Sequence, residues 1–341
     1  MSSNAENVRL HIETPLLESF PISKKAGFPV FIKCENAQPS GSFKLRGIGN
    51  RCRKAVLGGC KHIISSSGGR LFISGVWYIL PNTGGNAGVA AAYAAHFLGV
   101  KATIVIPETT AKNIADRMRS VGAEVIVHGK VWDEANQMVL KMVEEDKDAI
   151  AIHPFDHPDV WAGHASLIEE LKDELPQEPD LIITCVGGGG LLCGVVEGLN
   201  KVGWKDVPVL AMETIGADCL NKSVQADELV TLPGITSVAK CLGALTPAAR
   251  CMECVKEHTI HSEVVPDREA IRACLSLLDD HCILVEPACG AALAGLYSGI
   301  VHQLQEKKKL KADLICVVVI VCGGYSISLE EILKFKKDFD L

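Results

Sequence analysis

Thr184-Cys185-Val186-Gly187-Gly188-Gly189-Gly190-Leu191-Leu192-Cys193-Gly194 is the stretch from which the rest of the chain is read. An apolar run over 181–186 enters four consecutive glycines, and a helical pattern over 190–202 leaves them. Strand, glycine turn and helix in that order open a βαβ unit. Four glycines in a row give up much conformational freedom on folding. What they allow is a set of successive backbone N–H groups turned toward one anion, with the positive end of the following helix dipole behind them. The segment therefore reads as a phosphate cup. An ordinary strand–helix turn and a dinucleotide fingerprint are the competing readings. The G-x-G-x-x-G pattern fails in both registers, because its third glycine falls on Leu192 when begun at Gly187 and on Cys193 when begun at Gly188. Glu213, ending the next strand-like run, keeps a nucleotide reading open; a Walker A loop is absent.

Outward from this segment, short apolar runs alternate with amphipathic stretches. Strand-like runs cover 30–34, 62–65, 102–106, 123–127, 150–153, 181–186, 207–213 and 314–321, and helix-like stretches cover 86–98, 111–121, 132–145, 161–174, 190–202 and 268–280. The alternation predicts an α/β fold, its parallel sheets flanked by helices and its ligands beyond the carboxyl ends of the strands. A length of 341 residues suits two domains. No Pro- or Ser-rich linker divides them, so the chain is expected to cross between two tightly packed units. Hydrophobic residues make up 48% and charged residues 22%, enough for a sizeable core. A net charge of -7 argues against a nucleic-acid partner, which favours a basic face. The longest apolar runs, 71–80 and 314–322, fall short of the roughly 20 residues that span a bilayer. The 14 cysteines are scattered through apolar runs and no signal-peptide pattern opens the chain, so free thiols and a cytoplasmic location are expected. Cys251 and Cys254 form one C-x-x-C without a second pair, and His153, His157 and His164 lack a ligand spacing, so none of them indicates zinc.

A second signal is Gln38-Pro39-Ser40-Gly41-Ser42-Phe43-Lys44-Leu45-Arg46-Gly47. A turn of small residues leads into a helix beginning near Ser42, with Lys44 just inside its start. Cations disfavour that end of a helix, and the same field favours the neutral, nucleophilic amine that a Schiff base requires. A solvated surface lysine is the plainer reading of Lys44 alone. A phosphate cup together with a nucleophilic lysine describes pyridoxal 5'-phosphate, which offers a phosphate to one and an aldehyde to the other.

Residues 40–47 resemble the cofactor-lysine segment of pyridoxal-phosphate enzymes of the tryptophan-synthase-β fold type (fold type II). Residues 187–191 resemble their phosphate loop, and Val321-Cys322-Gly323-Gly324 the segment facing the pyridine nitrogen. Within that superfamily the chain is similar to the L-serine dehydratase / L-threonine deaminase family, including its serine-dehydratase-like branch. Segments 14–18, 31–49, 129–136, 154–166, 186–195, 212–217, 235–243 and 285–292 all fit. The resemblance implies β-elimination of water from L-serine and L-threonine, giving pyruvate or 2-oxobutanoate and ammonia. It implies that Lys44 holds the cofactor and then removes the substrate Cα proton, and that Gly187, Gly188, Gly189, Gly190 and Leu191 hold the phosphate. Phe43 would cover one ring face and Cys241, or its neighbour Ala239, the other. Cys322 would face the ring nitrogen, where a neutral thiol makes a weaker electron sink than a carboxylate partner would. Ser66, Ser67 and Asn86 would meet substrate and cofactor. A monovalent cation such as K+ would lie near Glu213, Ala217 and Leu242, and the enzyme would be a homodimer. The large domain would comprise 1–49 and 151–341, with a small domain of 50–150 inserted in it.

One departure stands inside the substrate loop. The family reads Ser-Ser-(small)-Gly-Asn-Ala-Gly, whereas here residues 70–85 separate Ser65-Ser66-Ser67-Gly68-Gly69 from Asn86-Ala87-Gly88. Removing 70–85 restores the family motif. The extra segment carries Phe72, Trp77 and Tyr78 and one charge, Arg70, an aggregation-prone composition for a surface loop. It is read as intron sequence carried into the chain, a splice form or a true insertion, with the first preferred. The resulting alternative function is a catalytically silent protein that binds the cofactor with a broken substrate loop.

Overall fold

Residues 8–66, 71–73, 76–78, 85–108, 110–129 and 132–341 are described by the structure, a computed structural model. The apolar runs become strands: β1 (Leu16–Glu18), β2 (Val30–Cys34), β3 (His62–Ser66), β4 (Leu71–Ile73), β5 (Val76–Tyr78), β6 (Lys101–Ile106), β7 (Glu124–Val127), β8 (Ala149–Ala151), β9 (Leu181–Cys185), β10 (Val209–Thr214), β11 (Ile260–Val265) and β12 (Val317–Val321). A six-stranded sheet runs β1-β2-β12-β9-β10-β11, and a four-stranded sheet runs β7-β6-β3-β8. Both are parallel except at β1, which pairs antiparallel with β2. Val319 stands between Ile32 and Ile183 at the centre of the larger sheet. Every residue of β9, β10 and β12 is buried, as continuous apolar runs in a doubly covered parallel sheet should be. The α/β class with helix-flanked parallel sheets is the one the alternation predicts. β4 and β5 form a separate antiparallel pair, Phe72 opposite Trp77; they belong to the segment interrupting the substrate loop.

Several elements escape the pattern reading, and two show why. β11, Ile-His-Ser-Glu-Val-Val, is half-buried at the sheet edge and carries no continuous apolar run. The helix Pro287–Tyr297 is buried on all sides, so it has no polar stripe to betray its period.

A buried ionic cluster fixes the approach to the large sheet. Arg46 is 0% exposed. Its Nε donates to Glu35 Oε2 at 2.7 Å and its Nη2 to Glu170 Oε2 at 2.6 Å. Thr14 Oγ1 donates to Glu35 Oε1 at 2.6 Å, and Lys33 Nζ pairs with Glu170 and Glu174 at 3.1 and 2.7 Å. Four stretches of chain, near residues 14, 35, 46 and 170, are thus locked together two residues from Lys44.

Candidate active site

The carboxyl ends of β3, β9 and β12 deliver Ser66, the glycine turn and Cys322 to one cavity of about 540 Å³. Phe43, Lys44, Asn86, Gly187, Gly188, Gly189, Gly190, Leu191 and Leu242 also line it. Sequence positions more than 270 residues apart therefore share a wall, as expected beyond the carboxyl ends of parallel strands. Glu213 and Ala217 are buried but do not line the cavity, and Ser67 lies outside the described residues.

The glycine turn has the geometry of a cradle. Gly189 caps the helix Gly190–Val202 at φ 86°, in the left-handed region, and no side chain caps that end. A Cβ on Gly189 would meet Cys251 Sγ at 1.9 Å, and one on Gly188 would meet the Phe155 ring at 2.4 Å. The first-turn N–H groups are left to an anion in the cavity.

The lysine loop is stitched to the Cys322 segment. Phe43 N–H donates to Cys322 O at 2.9 Å and Gly324 N–H to Gly41 O at 3.1 Å. Lys44 is the first residue of the helix Lys44–Leu57. Its Nζ donates to Pro154 O at 2.7 Å and lies 5.2 Å from the Phe43 ring centroid. Burial pulls the amine down from its ordinary value to about 8, against the pull of nearby thiols and Glu286. Phe43 rests on His164, ring centroids 4.9 Å apart, and burial holds the His164 imidazole neutral. Of the two residues expected on the opposite ring face, Cys241 lines the cavity and Ala239 does not.

Cys322 sits in a nest of sulfur. Cys185 Sγ is 3.4 Å and Cys289 Sγ 3.2 Å from Cys322 Sγ. Hydrogen bonding with those thiols, together with burial, pushes the Cys322 thiol well above its ordinary range, so it is neutral. All 14 cysteines are unpaired. Ser66 Oγ donates to Asn136 Oδ1 at 2.8 Å. Glu213 accepts the Leu220 and Asn221 N–H groups at 3.0 and 2.7 Å, and burial pushes its carboxyl up to about 8.

Two cavity residues were not reached from sequence. Glu286, 2% exposed, accepts from Asn86 Nδ2 at 2.9 Å, from Cys241 Sγ at 3.2 Å and from Ser326 Oγ. A carboxylate before a proline that opens an apolar helix, Glu286-Pro287, was the available signal. Lys240 donates to Ser237 O at 2.5 Å, and burial pulls its amine to about 8 despite Asp267 nearby. A second depressed lysine thus faces the cavity.

The donor set fits pyridoxal phosphate: an uncapped helix end that a Cβ would fill, an amine of lowered basicity, an aromatic face and a neutral thiol in one cavity. Comparison with known proteins agrees. A family model described as pyridoxal-phosphate dependent enzyme matches residues 8–323. The chain is 52% identical over 336 residues to the serine dehydratase-like protein of Homo sapiens, spanning 98% of this chain and 97% of that protein. It is 48% identical to the L-serine dehydratase/L-threonine deaminase of Bos taurus, spanning 97% of each. Its fold matches a fungal L-serine ammonia-lyase from Rhizomucor miehei with a TM-score of 0.86 at 35% identity, covering 97% of this chain and 99% of that one. Among the described residues no helix is long and apolar enough to cross a membrane.

Proposed function

The chain belongs to the pyridoxal-phosphate dependent enzymes, and we propose that within this family it is an ammonia-lyase that deaminates L-serine and L-threonine to pyruvate or 2-oxobutanoate. The observation that carries this reading is the meeting of Lys44 Nζ, the glycine cradle and the neutral Cys322 thiol in one cavity. The bound cofactor supplies an aldehyde for the lysine and a ring that draws electrons from the substrate Cα. Gly187 to Leu191 would hold the phosphate through backbone N–H groups. Phe43 and Cys241, both lining the cavity, would cover the two faces of the ring. Lys44, its amine pulled down to about 8 by burial, would take the Cα proton at Nζ in its neutral form. Ser66, Ser67 and Asn86 would meet the substrate and the cofactor, and the neutral Cys322 thiol would face the ring nitrogen without the carboxylate that could keep it protonated.

A catalytically silent binder is not favoured. Ser66 and Asn86 line the same cavity although residues 70–85 separate them. A monovalent cation beside Glu213, Ala217 and Leu242 belongs to the same reading: burial disfavours the charged form of the Glu213 carboxyl, and a cation bound there would favour it. We take the unit around the four-stranded sheet, 50–150, as the smaller domain and 1–49 with 151–341 as the larger. The active form is taken as a cytoplasmic homodimer.

Lys44→Ala tests the reading. The variant should keep its circular dichroism but lose both the visible absorbance of the bound cofactor and 2-oxo acid release from L-serine and L-threonine. Retention of a covalent cofactor, trapped with borohydride, would assign the anchor to another lysine, with Lys240 the first to examine.

A further inference from the structure

Below the proposed ring site the cavity floor gathers more sulfur than a single thiol facing a pyridine nitrogen requires. Glu286, Cys289 and Cys322 each offer one ligand atom, and these atoms lie within 4.8 Å of one another. Cys185 flanks them, 3.4 Å from Cys322 Sγ. Cys289 Sγ donates to Gly323 O at 2.8 Å and accepts the Gly323 N–H at 3.1 Å, so a backbone donor already points at the sulfur. Glu286 and Cys322 face the cavity, which is an entry path from above.

We infer that Glu286, Cys289 and Cys322 form a binding site for a thiophilic divalent cation of the zinc class, and that this cation and pyridoxal phosphate exclude one another. Two thiolates and one carboxylate oxygen select soft or borderline metals over magnesium. Ligands at about 2.3 Å in tetrahedral geometry place two sulfurs about 3.8 Å apart. The Cys289 and Cys322 sulfurs, at 3.2 Å, need to part by only roughly 0.6 Å, within reach of small side-chain rotations. On binding, two metal–sulfur bonds and one metal–oxygen bond form, and the two thiol protons leave to solvent. Cys289 then gives up its bond to Gly323 O and keeps the Gly323 N–H, which holds a thiolate in place. The fourth position opens to the cavity, where the ring would otherwise stand. Exclusion rests on the proposed cofactor site; the metal site itself does not.

The other sulfur cluster provides the control. Cys193 lies 3.6 Å from Cys251, with Cys254 near, but among the described residues these three do not form a group whose ligand atoms all lie within 4.8 Å of one another. The experiment uses the full chain stripped of cofactor and titrated with Cd2+, read by the sulfur-to-cadmium charge-transfer absorbance. One ion per chain is expected. Cys289→Ser and Glu286→Gln should each weaken binding at least about tenfold, Cys254→Ser should leave it unchanged, and excess Mg2+ should not compete. Two variants guard against one failing to fold, and circular dichroism checks both. Wild-type affinity in both Cys289→Ser and Glu286→Gln, or a loss confined to Cys254→Ser, overturns the site. Pyridoxal phosphate added to the loaded protein should release the ion to a chromogenic chelator. Release failing while the cofactor's visible band forms overturns the exclusion. If the ion binds as described and no cofactor attaches at all, the metal site stands and the functional reading fails.

Discussion

Lys44 concentrates the chemistry of the site in one amine. Its position just inside a helix start was legible from the sequence, and so were the glycines, because each belongs to a short contiguous motif; Cys322 entered only through the resemblance to the family. Glu286 and Lys240 were not legible, because their importance comes from a wall assembled from distant stretches, and no local spacing reports that. The lowered basicity of Lys44 has a consequence for stability. In the cofactor-free protein its amine titrates at about 8, below the ordinary 10.5. Between those values the unfolded chain binds more protons than the folded one, so the Lys44 contribution to stability rises with pH across that window. Below pH 8 both states are protonated and the full cost of burying the charge remains. Lys44→Met removes this cost. The stripped variant should be more stable than the stripped parent by about 3 kcal/mol at pH 7, and the advantage should fade toward pH 10.5. Urea midpoints at the two pH values decide it: a constant difference would mean that the amine is not desolvated.

At the scale of elements, the sequence was clearest where strands are buried on both faces and helices are amphipathic. It was weakest at β11 and at the helix Pro287–Tyr297, where one edge and one fully buried cylinder blur the period. The ionic cluster around Arg46 was also invisible, because the charges of Glu35, Arg46 and Glu170 look like surface residues until the elements pack. Removing one partner from such a cluster leaves buried charge unpaired. Arg46→Leu should therefore destabilise the protein by about 3–5 kcal/mol, measured by denaturant unfolding. A loss below about 1 kcal/mol would mean that water reaches Glu35 and Glu170 in the variant. The connection between β3 and the helix Asn86–Leu98 poses a different question. Residues 67–84 lie outside the described residues apart from β4 and β5, yet Ser66 and Asn86 at its two ends both reach the cavity. Deleting 70–85 shortens this connection from 19 residues to 3. Loop-closure entropy then favours the ordered wall by roughly 1.6 kcal/mol, so 2-oxo acid formation should rise at least about tenfold. Equal activity with and without the segment would show that it folds away harmlessly.

Taken whole, the molecule holds its cavity between two parallel-dominated sheets, and side chains on the side of Cys322 bridge them. Asn86, opening a helix of the four-stranded sheet, reaches Glu286 of the larger unit. Arg117, on the helix Lys112–Ser120, does the same more elaborately. Its guanidinium lies 4.0 Å from the Tyr325 ring centroid and donates to the Tyr325 carbonyl. Tyr325 follows Cys322 by three residues, and its ring fills the space beside Gly41, where a Cβ would stand 2.3 Å from it. Gly41 is held at φ 74° in the loop that carries Lys44. A pull on Arg117 is therefore transmitted through Tyr325 to both the lysine loop and the Cys322 segment. We propose that such a bridge acts on how the two units come together around the substrate rather than on the proton transfer itself. Arg117→Ala removes a partly buried cation–π contact and a charge-assisted hydrogen bond, together about 1 kcal/mol. KM for L-serine should rise about fivefold with kcat changed less than twofold. Tyr325→Phe should behave as the parent, since the ring and the carbonyl are both kept, whereas Tyr325→Leu should resemble Arg117→Ala. Steady-state kinetics on the three variants separates closure from mere support of the fold. An Arg117→Ala enzyme with parental KM and only a lowered Tm would show that the bridge stabilises the molecule without governing access to its cavity.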